Sequence, residues 1–154
     1  MNPKYNKNLA LSLFLSVLLG SSIGEKSLAK EIDWDKTLAS GYHELAIGNT
    51  EKAQSVFEGK SQKYPQSGAC HTALGKTYKK LGKTSQAKME FQKACQSEPS
   101  FAESFYELAV LEEGDRNWDN AASSFEKYMQ LKPELANRQG MADRIKFCRS
   151  HSSQ

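Results

Sequence analysis

The sequence predicts an all-α protein in which three helix hairpins stack into an α-α superhelix, or solenoid. Three observations support this fold class. The same residue types recur every 34 residues, and each 34-residue unit holds two stretches whose apolar residues follow helical spacing. The composition of the 154 residues, 38% hydrophobic and 25% charged, excludes collagen-like and polytopic membrane chains. A net charge of +3 is too small to indicate a nucleic-acid partner.

An N-terminal segment precedes the repeats. Residues 1–8 contain two lysines and no acid, residues 9–20 form an uncharged apolar run, and the small residues Ser27 and Ala29 follow. This order is typical of a secretory signal peptide, which predicts cleavage of residues 1–29 and an exported protein, periplasmic or secreted, with no membrane span afterwards. An uncleaved N-terminal membrane anchor is the alternative, although a spanning helix needs about 20 apolar residues.

Four columns of residues share the 34-residue period. Pro, Ala and Phe each recur three times, and a fourth column holds only small residues. The columns are Pro65, Pro99, Pro133; Ala53, Ala87, Ala121; Phe57, Phe91, Phe125; and Gly41, Gly75, Ala109. Because chance rarely aligns four independent columns, the spacing indicates an internal repeat with units 34–67, 68–101 and 102–135.

The unit resembles the tetratricopeptide repeat (TPR). The middle unit is the best match, and it carries Leu74-Gly75, Tyr78, Leu81-Gly82, Ala87, Phe91, Ala94 and Pro99. The outer units depart from the family pattern, since Glu44 and Glu112 replace the tyrosine and Arg116 replaces the turn glycine. The resemblance implies three TPR hairpins whose first helices line the concave side of the superhelix.

These residue types suit helix hairpins. The turns are predicted at Gly48-Asn49, Gly82-Lys83 and Gly114-Asp115. The small column lets the first helix approach the alanine column of the second, and the phenylalanines fill the gap between hairpins. Each proline ends a helix. A lone hairpin cannot cover its apolar face, so about three stacked units are required.

The repeats are followed by one more amphipathic segment. Leu135, Met141, Ile145 and Cys148 lie at helical spacing, which predicts a C-terminal capping helix at about 136–149. Its outer face would carry Asn137, Asp143, Lys146 and Arg149. The TPR domain is therefore predicted to span 30–149, with a frayed tail at 150–154.

No catalytic constellation is found. His43, His71 and His151 lie in different units, and none has a partner at a recognised metal-ligand spacing. Adjacent Cys70 and His71 point about 100° apart on a helix. We therefore predict no enzyme activity, no cofactor and no metal site.

Cys70 and Cys95 leave two alternatives open. They lie at the same end of one predicted hairpin, and an exported protein would permit a disulfide. However, a bridge needs Cα atoms within about 7 Å, whereas packed helices lie about 8–10 Å apart. A bridge and two buried thiols both remain open.

The resemblance implies a partner-binding groove on the first helices. Its predicted residues are Leu38, Tyr42, Leu45, Thr72, Lys76, Lys79, Lys80, Tyr106 and Val110. The groove would run from apolar and aromatic, through basic, to mixed acidic. The lysines could neutralise a carboxylate-bearing segment, or they could form a solvated helix face.

Chaperone-binding family members carry a clamp of Lys, Asn, Asn, Lys and Arg for carboxylates. The matching positions here hold Leu38, Tyr42, Ala73, Glu103 and Tyr106. None of them matches, so binding of cytosolic chaperone tails is not expected.

These observations favour a non-catalytic protein–protein interaction adaptor or scaffold in the bacterial cell envelope. The expected partner is a protein or peptide segment held in the concave groove, and no nucleic acid is expected. The alternative is a self-assembling structural module that stacks, or weakly self-associates, through its repeat ends.

Overall fold

The computed structural model describes residues 32–136 and 140–152. The predicted signal peptide and its cleavage site lie outside these residues. So do Asn137 and Arg138 of the predicted capping segment, and the side chain of Leu135.

The described residues form helices and turns and contain no strand. The helices are α1 (Trp34–Ala46), α2 (Thr50–Lys63), α3 (Gly68–Lys80), α4 (Thr84–Ser97), α5 (Ala102–Gly114), α6 (Trp118–Leu131), α7 (Pro133–Ala136) and α8 (Met141–His151). The pairs α1–α2, α3–α4 and α5–α6 are hairpins, each packed on the next, and α8 packs on α6. The predicted all-α superhelix is confirmed.

The small residues of the first helices make room for the phenylalanine rings. A Cβ atom added at Gly41 would lie 2.4 Å from Phe57 Cε1, and one at Gly75 would lie 2.5 Å from Phe91 Cε1. Both rings are fully buried. These phenylalanines therefore pack against the small residues in the first helix of their own hairpin. The sequence had predicted the alanine column at this contact and the phenylalanines between hairpins.

The hairpins are joined by short, well-bonded connections. The Ser67 hydroxyl accepts a hydrogen bond from the Cys70 backbone N–H at 3.2 Å, which caps α3. The Glu98 carboxylate, just after α4, accepts a second bond from the Gly68 N–H at 2.7 Å. A carboxylate is favourable at a helix N-terminus, so Glu98 ties the end of the second hairpin back to its start.

Each hairpin turn contains one residue in the left-handed conformation. The φ angles are 85° at Gly48, 71° at Gly82 and 59° at Arg116. These positions are 34 residues apart, and Gly114 is still the last residue of α5. The third turn is therefore built on Arg116. The turn predicted from the sequence, at Gly114-Asp115, is two residues too early.

Replacing Arg116 by glycine should raise the free energy of unfolding by about 0.5–1 kcal/mol. The left-handed conformation costs a residue with a Cβ about 1–2 kcal/mol, and the greater freedom of glycine in the unfolded chain offsets part of the gain. Urea denaturation followed by circular dichroism measures the change. Gly82→Ala is the matched control and should lower stability; a loss of stability in Arg116→Gly would contradict the prediction.

The last helix does not keep the 34-residue spacing. Met141, Ile145 and Cys148 pack on α6, as Ser104, Leu108 and Leu111 pack toward α4. The offset between these sets is 37 residues. The short helix α7 lengthens the connection ahead of α8, which explains the three extra residues.

The C-terminal helix both begins and ends later in the sequence than predicted. It begins at Met141 rather than at about residue 136, and it continues through Ser150 and His151, which the sequence assigned to a frayed tail. The His151 ring lies 4.0 Å from the Phe147 ring and 5.5 Å from the Trp118 ring, between centroids. This aromatic contact with α6 explains why the helix persists to His151.

The first hairpin presents a polar face away from the second. Lys36, Ser40 and His43 of α1 are exposed. The positions 34 residues later hold Cys70, Leu74 and Thr77, which are all buried against the preceding hairpin. The first end of the stack therefore lacks the apolar surface that the internal junctions share.

Candidate functional site

Two of the predicted groove residues lie in the interior. Leu38 is 3% exposed and Thr72 is 1% exposed. Leu38 belongs to a core cluster with Ala53 and Phe57. The Thr72 hydroxyl has no hydrogen-bond partner among the described residues, so it is enclosed without being bonded. The predicted contact of these two side chains with a partner is therefore wrong, since the packing of the protein itself encloses them.

Tyr42 of α1 does reach the surface. Its side chain is 38% exposed, and its ring packs on Phe57 with centroids 5.2 Å apart. Burial of the ring raises the pKa of its hydroxyl, while the nearby positive charge of Lys76 on α3 lowers it. Tyr42 and Lys76 therefore lie side by side on adjacent hairpins.

The groove lysines are occupied by the protein's own carboxylates. Lys76 pairs with Glu103 of α5, and its Nζ lies 3.8 Å from Glu107 Oε1. Lys79 Nζ lies 2.5 Å from Glu107 Oε2. Lys80 is exposed and has no ion pair with any described residue. Two of the three lysines expected to meet a partner instead link the second hairpin to the third.

Tyr106 and Val110 of α5 are half-buried. The Tyr106 ring packs on Phe125 at 6.2 Å and on Tyr128 at 5.3 Å, between centroids. Leu45, at the other end of the surface, is half-buried against the core of the first two hairpins. These side chains keep part of their apolar surface accessible and bury the rest.

Arg144 of α8 belongs to the same surface but was missed in the sequence. Its guanidinium pairs with Glu113 and lies 4.4 Å from the centroid of the Phe125 ring. The hydrogen bond that Arg144 donates to the Glu113 carboxylate is the largest cause that raises the Arg144 pKa, and Tyr106 contributes further. Aligning α8 with α5 by their buried residues places Arg144 at the position of Glu107. That alignment requires the structure, so the 34-residue columns gave no signal for Arg144.

These side chains form one continuous surface across α1, α3, α5 and α8. We call it the charged strip, defined by Tyr42, Leu45, Lys76, Lys79, Glu103, Tyr106, Glu107, Val110, Glu113 and Arg144. Its cations and carboxylates belong to successive hairpins or to the cap. The strip therefore both braces the stack and presents aromatic side chains between paired charges.

Comparison with known families assigns the repeat. Residues 69–101, the second hairpin, match the model described as Tetratricopeptide repeat. The flanking hairpins have the same two-helix form and the same columns of small and phenylalanine residues. The second hairpin is a tetratricopeptide repeat, and the described chain has the TPR fold. No curated protein sequence matches it significantly.

Several solved structures share the fold of this TPR chain. One is the first TPR of Spaghetti (RPAP3) bound to an HSP90 peptide, at 13% identity and a TM-score of 0.66, covering 79% of this chain and 94% of that one. Another is the Yersinia enterocolitica type III secretion chaperone SycD with a peptide of the translocator YopD, at 13% and 0.66, covering 77% and 93%. MamA AMB-1 matches at 22% and 0.62, covering 81% and 67%.

A buried histidine ties the first TPR hairpin to the second, outside the charged strip. The His71 Nδ1 lies 2.7 Å from Glu90 Oε2, and its Nε2 lies 3.1 Å from the Pro65 carbonyl oxygen. Both partners accept hydrogen bonds, so both contacts are hydrogen bonds when the ring is protonated on both nitrogens, as an imidazolium. The hydrogen bond to Glu90 is the main cause that raises the His71 pKa.

A tyrosine strengthens the same junction. The Tyr78 hydroxyl donates a hydrogen bond to Glu58 Oε1 of the first hairpin at 2.9 Å. Burial, followed by this bond to a carboxylate, raises the pKa of Tyr78 to about 12. The matching positions Glu44 and Glu112 instead bond within their own hairpins, to Asn49 and Ser124. The tyrosine of the TPR pattern is therefore retained where it makes a contact between hairpins.

The cysteines of the TPR domain are free thiols in the structure. Cys70 is fully buried. Burial raises the pKa of its thiol, and the nearby charge of Lys60 on α2 lowers it. Cys95 contacts the Ser104 hydroxyl of α5, with 3.4 Å between Sγ and Oγ. The two thiols therefore face opposite neighbouring hairpins, although they lie at the same end of their own hairpin.

Residues 32–136 and 140–152 contain neither a cluster of metal ligands nor a helix that could span a membrane. Within these ranges, no group of three or more His, Cys, Asp or Glu side chains could hold a metal ion. The helices of the described chain are too short and too polar for any of them to cross a membrane. The charged strip is thus the candidate site with the best structural support.

Proposed function

We propose that this protein is a non-catalytic adaptor that binds a segment of a partner protein along the charged strip. The observation that carries the proposal is the continuity of the strip over three hairpins and the capping helix. The exposed parts of Tyr42 and Val110 supply apolar contact surface. Tyrosine side chains are common at protein interfaces. A surface built on rigid helices is also already formed before the partner arrives, which reduces the entropy cost of binding.

The structural relatives support this class of function. The Spaghetti domain is described with a bound HSP90 peptide, and SycD with a bound YopD peptide. At 13% identity these likenesses establish a shared fold, and the binding of a segment by this chain is our proposal. The family's carboxylate clamp does not match here, so we do not propose an HSP90 tail as the partner.

We further propose that the adaptor acts after export, in the bacterial cell envelope. The support is the order of charged, apolar and small residues in 1–29, which is typical of a signal peptide. An adaptor in that compartment would scaffold an envelope or secretion assembly.

End-to-end stacking of copies has less support. Such an array joins two different ends of the molecule, and the exposed face of α1 is polar at Lys36, Ser40 and His43. At the other end, Met129, Ala142 and Ile145 line an open, mostly apolar crevice of about 450 Å³ between α6 and α8. The described face of α1 is therefore a poor match for this apolar crevice.

The proposal is tested by capture of the native partner. The double variant Tyr42→Ala/Lys79→Ala removes one aromatic and one charged side chain from the strip, and each is well exposed. Purification from the native host with mass spectrometry should show partner recovery reduced about 10-fold or more, which corresponds to about 1.4 kcal/mol. The intact mass of the purified native protein should correspond to a chain that begins at Lys30.

The matched control is Lys36→Ala/Met89→Ala, which changes exposed residues outside the strip. It should retain the partner, and both variants should keep the native helix content by circular dichroism. Full partner recovery by the strip variant would overturn the adaptor proposal, and an intact mass that includes residues 1–29 would overturn cleavage.

A further inference from the structure

We propose that the charged strip selects an uncharged partner segment with aliphatic or aromatic side chains, and that it discriminates against acidic segments. This inference rests on the proposed function, because it names the chemistry of the segment that the adaptor binds. It is carried by the pattern of ion pairs, which leaves the strip's cations neutralised by the protein itself.

The basic centre of the strip is compensated from the next hairpin. Lys76 is paired with Glu103 and lies near Glu107, and Lys79 is paired with Glu107. Glu107 is itself largely buried, so its carboxylate is held against the two lysines by packing. An incoming carboxylate would have to displace a tethered one, which competes at a high effective concentration.

The far end of the strip is compensated in the same way. Arg144 donates to both Glu113 carboxylate oxygens, and its guanidinium carbon lies 4.4 Å from the centroid of the Phe125 ring. A bidentate pair of this kind is among the stronger charge-assisted contacts. An acidic segment therefore finds no unpaired cation among the residues of the strip. Lys80, which follows Lys79 on α3, is exposed and is not part of the strip.

A basic segment meets an equivalent obstacle. Each of the strip's carboxylates, on Glu103, Glu107 and Glu113, already accepts from a lysine or an arginine. Breaking such a pair leaves a partly desolvated charge behind, which is costly. Charged segments of either sign would therefore lose more in displacement than they gain in new contacts.

Apolar surface is what the strip has left to offer. Tyr42 is exposed over more than a third of its area, and Leu45, Tyr106 and Val110 are half-exposed. Burial of apolar area favours association, and the entropy cost of binding offsets part of that gain. Such burial requires no displacement of the ion pairs, so an uncharged segment with aliphatic or aromatic side chains is the complementary partner.

The test compares three synthetic peptide pools of equal length by fluorescence anisotropy. One pool is uncharged and rich in aliphatic and aromatic residues, one is acidic and one is basic. The native protein should bind the uncharged pool about 10-fold more tightly than either charged pool, a difference of about 1.4 kcal/mol. Salt screens interactions between exposed charges. The uncharged pool makes no such interactions, so its affinity should not fall as the salt concentration increases.

A variant of the strip should lose the selectivity against acidic segments. Glu103→Gln/Glu107→Gln keeps the side-chain shapes and releases Lys76 and Lys79, so affinity for the acidic pool should rise about 10-fold and become sensitive to salt. Glu51→Gln/Asp143→Asn removes the same charge from exposed positions off the strip and should leave all three affinities unchanged.

The outcomes separate this inference from the proposed function. Equal or tighter binding of the acidic pool by the native protein would overturn the inference and leave the adaptor standing. Binding of none of the pools would also overturn the inference, and the partner-capture experiment would then decide the adaptor on its own.

Discussion

Replacing Phe91 by alanine should lower the free energy of unfolding by about 3–5 kcal/mol. The ring is fully buried in the second hairpin, and it fills the space that Gly75 leaves by lacking a Cβ. Removing it takes away its transfer free energy and opens a cavity between two helices that other packing holds in place. Urea denaturation monitored by circular dichroism measures the loss.

Met89 provides the matched control for this prediction. It lies on the same helix, two residues away, and is 52% exposed. Met89→Ala should change the free energy of unfolding by no more than about 0.5 kcal/mol. A loss below about 1 kcal/mol in Phe91→Ala would show that the ring does not hold the hairpin together.

Replacing His71 by leucine should cost about 3 kcal/mol near pH 6. The substitution leaves the Glu90 carboxylate in a buried site with Lys93 as its remaining partner, and breaking a buried pair by removing one member is strongly destabilising. It also removes the bond to the Pro65 carbonyl, which joins the first hairpin to the second. Thermal or urea unfolding at pH 6 gives the difference.

The stabilisation from this pair should depend on pH. The pKa of His71 is raised above its ordinary value of 6.5, so its contribution is fully present below pH 6.5 and is lost as pH rises through the higher folded pKa. Burial alone would raise the pKa of Glu90, but hydrogen bonds from His71 and Lys93 lower it below 4.5. The Glu90 contribution is present above pH 4.5 and is lost as pH falls through the folded pKa.

The pair should therefore stabilise most between about pH 4.5 and 6.5. The difference in stability between the native protein and His71→Leu should shrink at alkaline pH. His43→Ala, which changes an exposed histidine of α1, serves as the control and should leave the pH profile unchanged. A native-to-variant difference that is constant from pH 5 to 9 would contradict the assignment of an imidazolium.

The repeat columns predicted the fold well because each column reflects one steric requirement. The columns of Gly75 and Phe91 recur at a fixed spacing because the ring in one helix requires a small residue at the facing position of the other helix. The shift of α8 was not predictable from these columns. It depends on α7, a four-residue helix that has no counterpart between the earlier hairpins.

The candidate site was harder to predict, because its residues come from different hairpins. Residues of the first helices were assigned to the groove by position within the repeat, and this identified Tyr42 and Lys79 as exposed side chains. It could not show that Leu38 and Thr72 are covered, since their burial depends on how closely neighbouring hairpins approach. The pairing of Lys79 with Glu107 likewise joins residues 28 positions apart, and no helical period links them.

The polar face of α1 has a consequence for how the molecule opens. Within residues 32–136 and 140–152, the second hairpin is covered by neighbours on both sides, whereas the first is covered by one neighbouring hairpin, mainly through α3. In a stack of this kind, stability is a sum of contributions from each unit and its interfaces, and the units with fewer interfaces open at lower free energy. The first hairpin can therefore detach as a local unit when the His71 junction is broken, while amide hydrogens of the second hairpin remain protected from exchange with solvent.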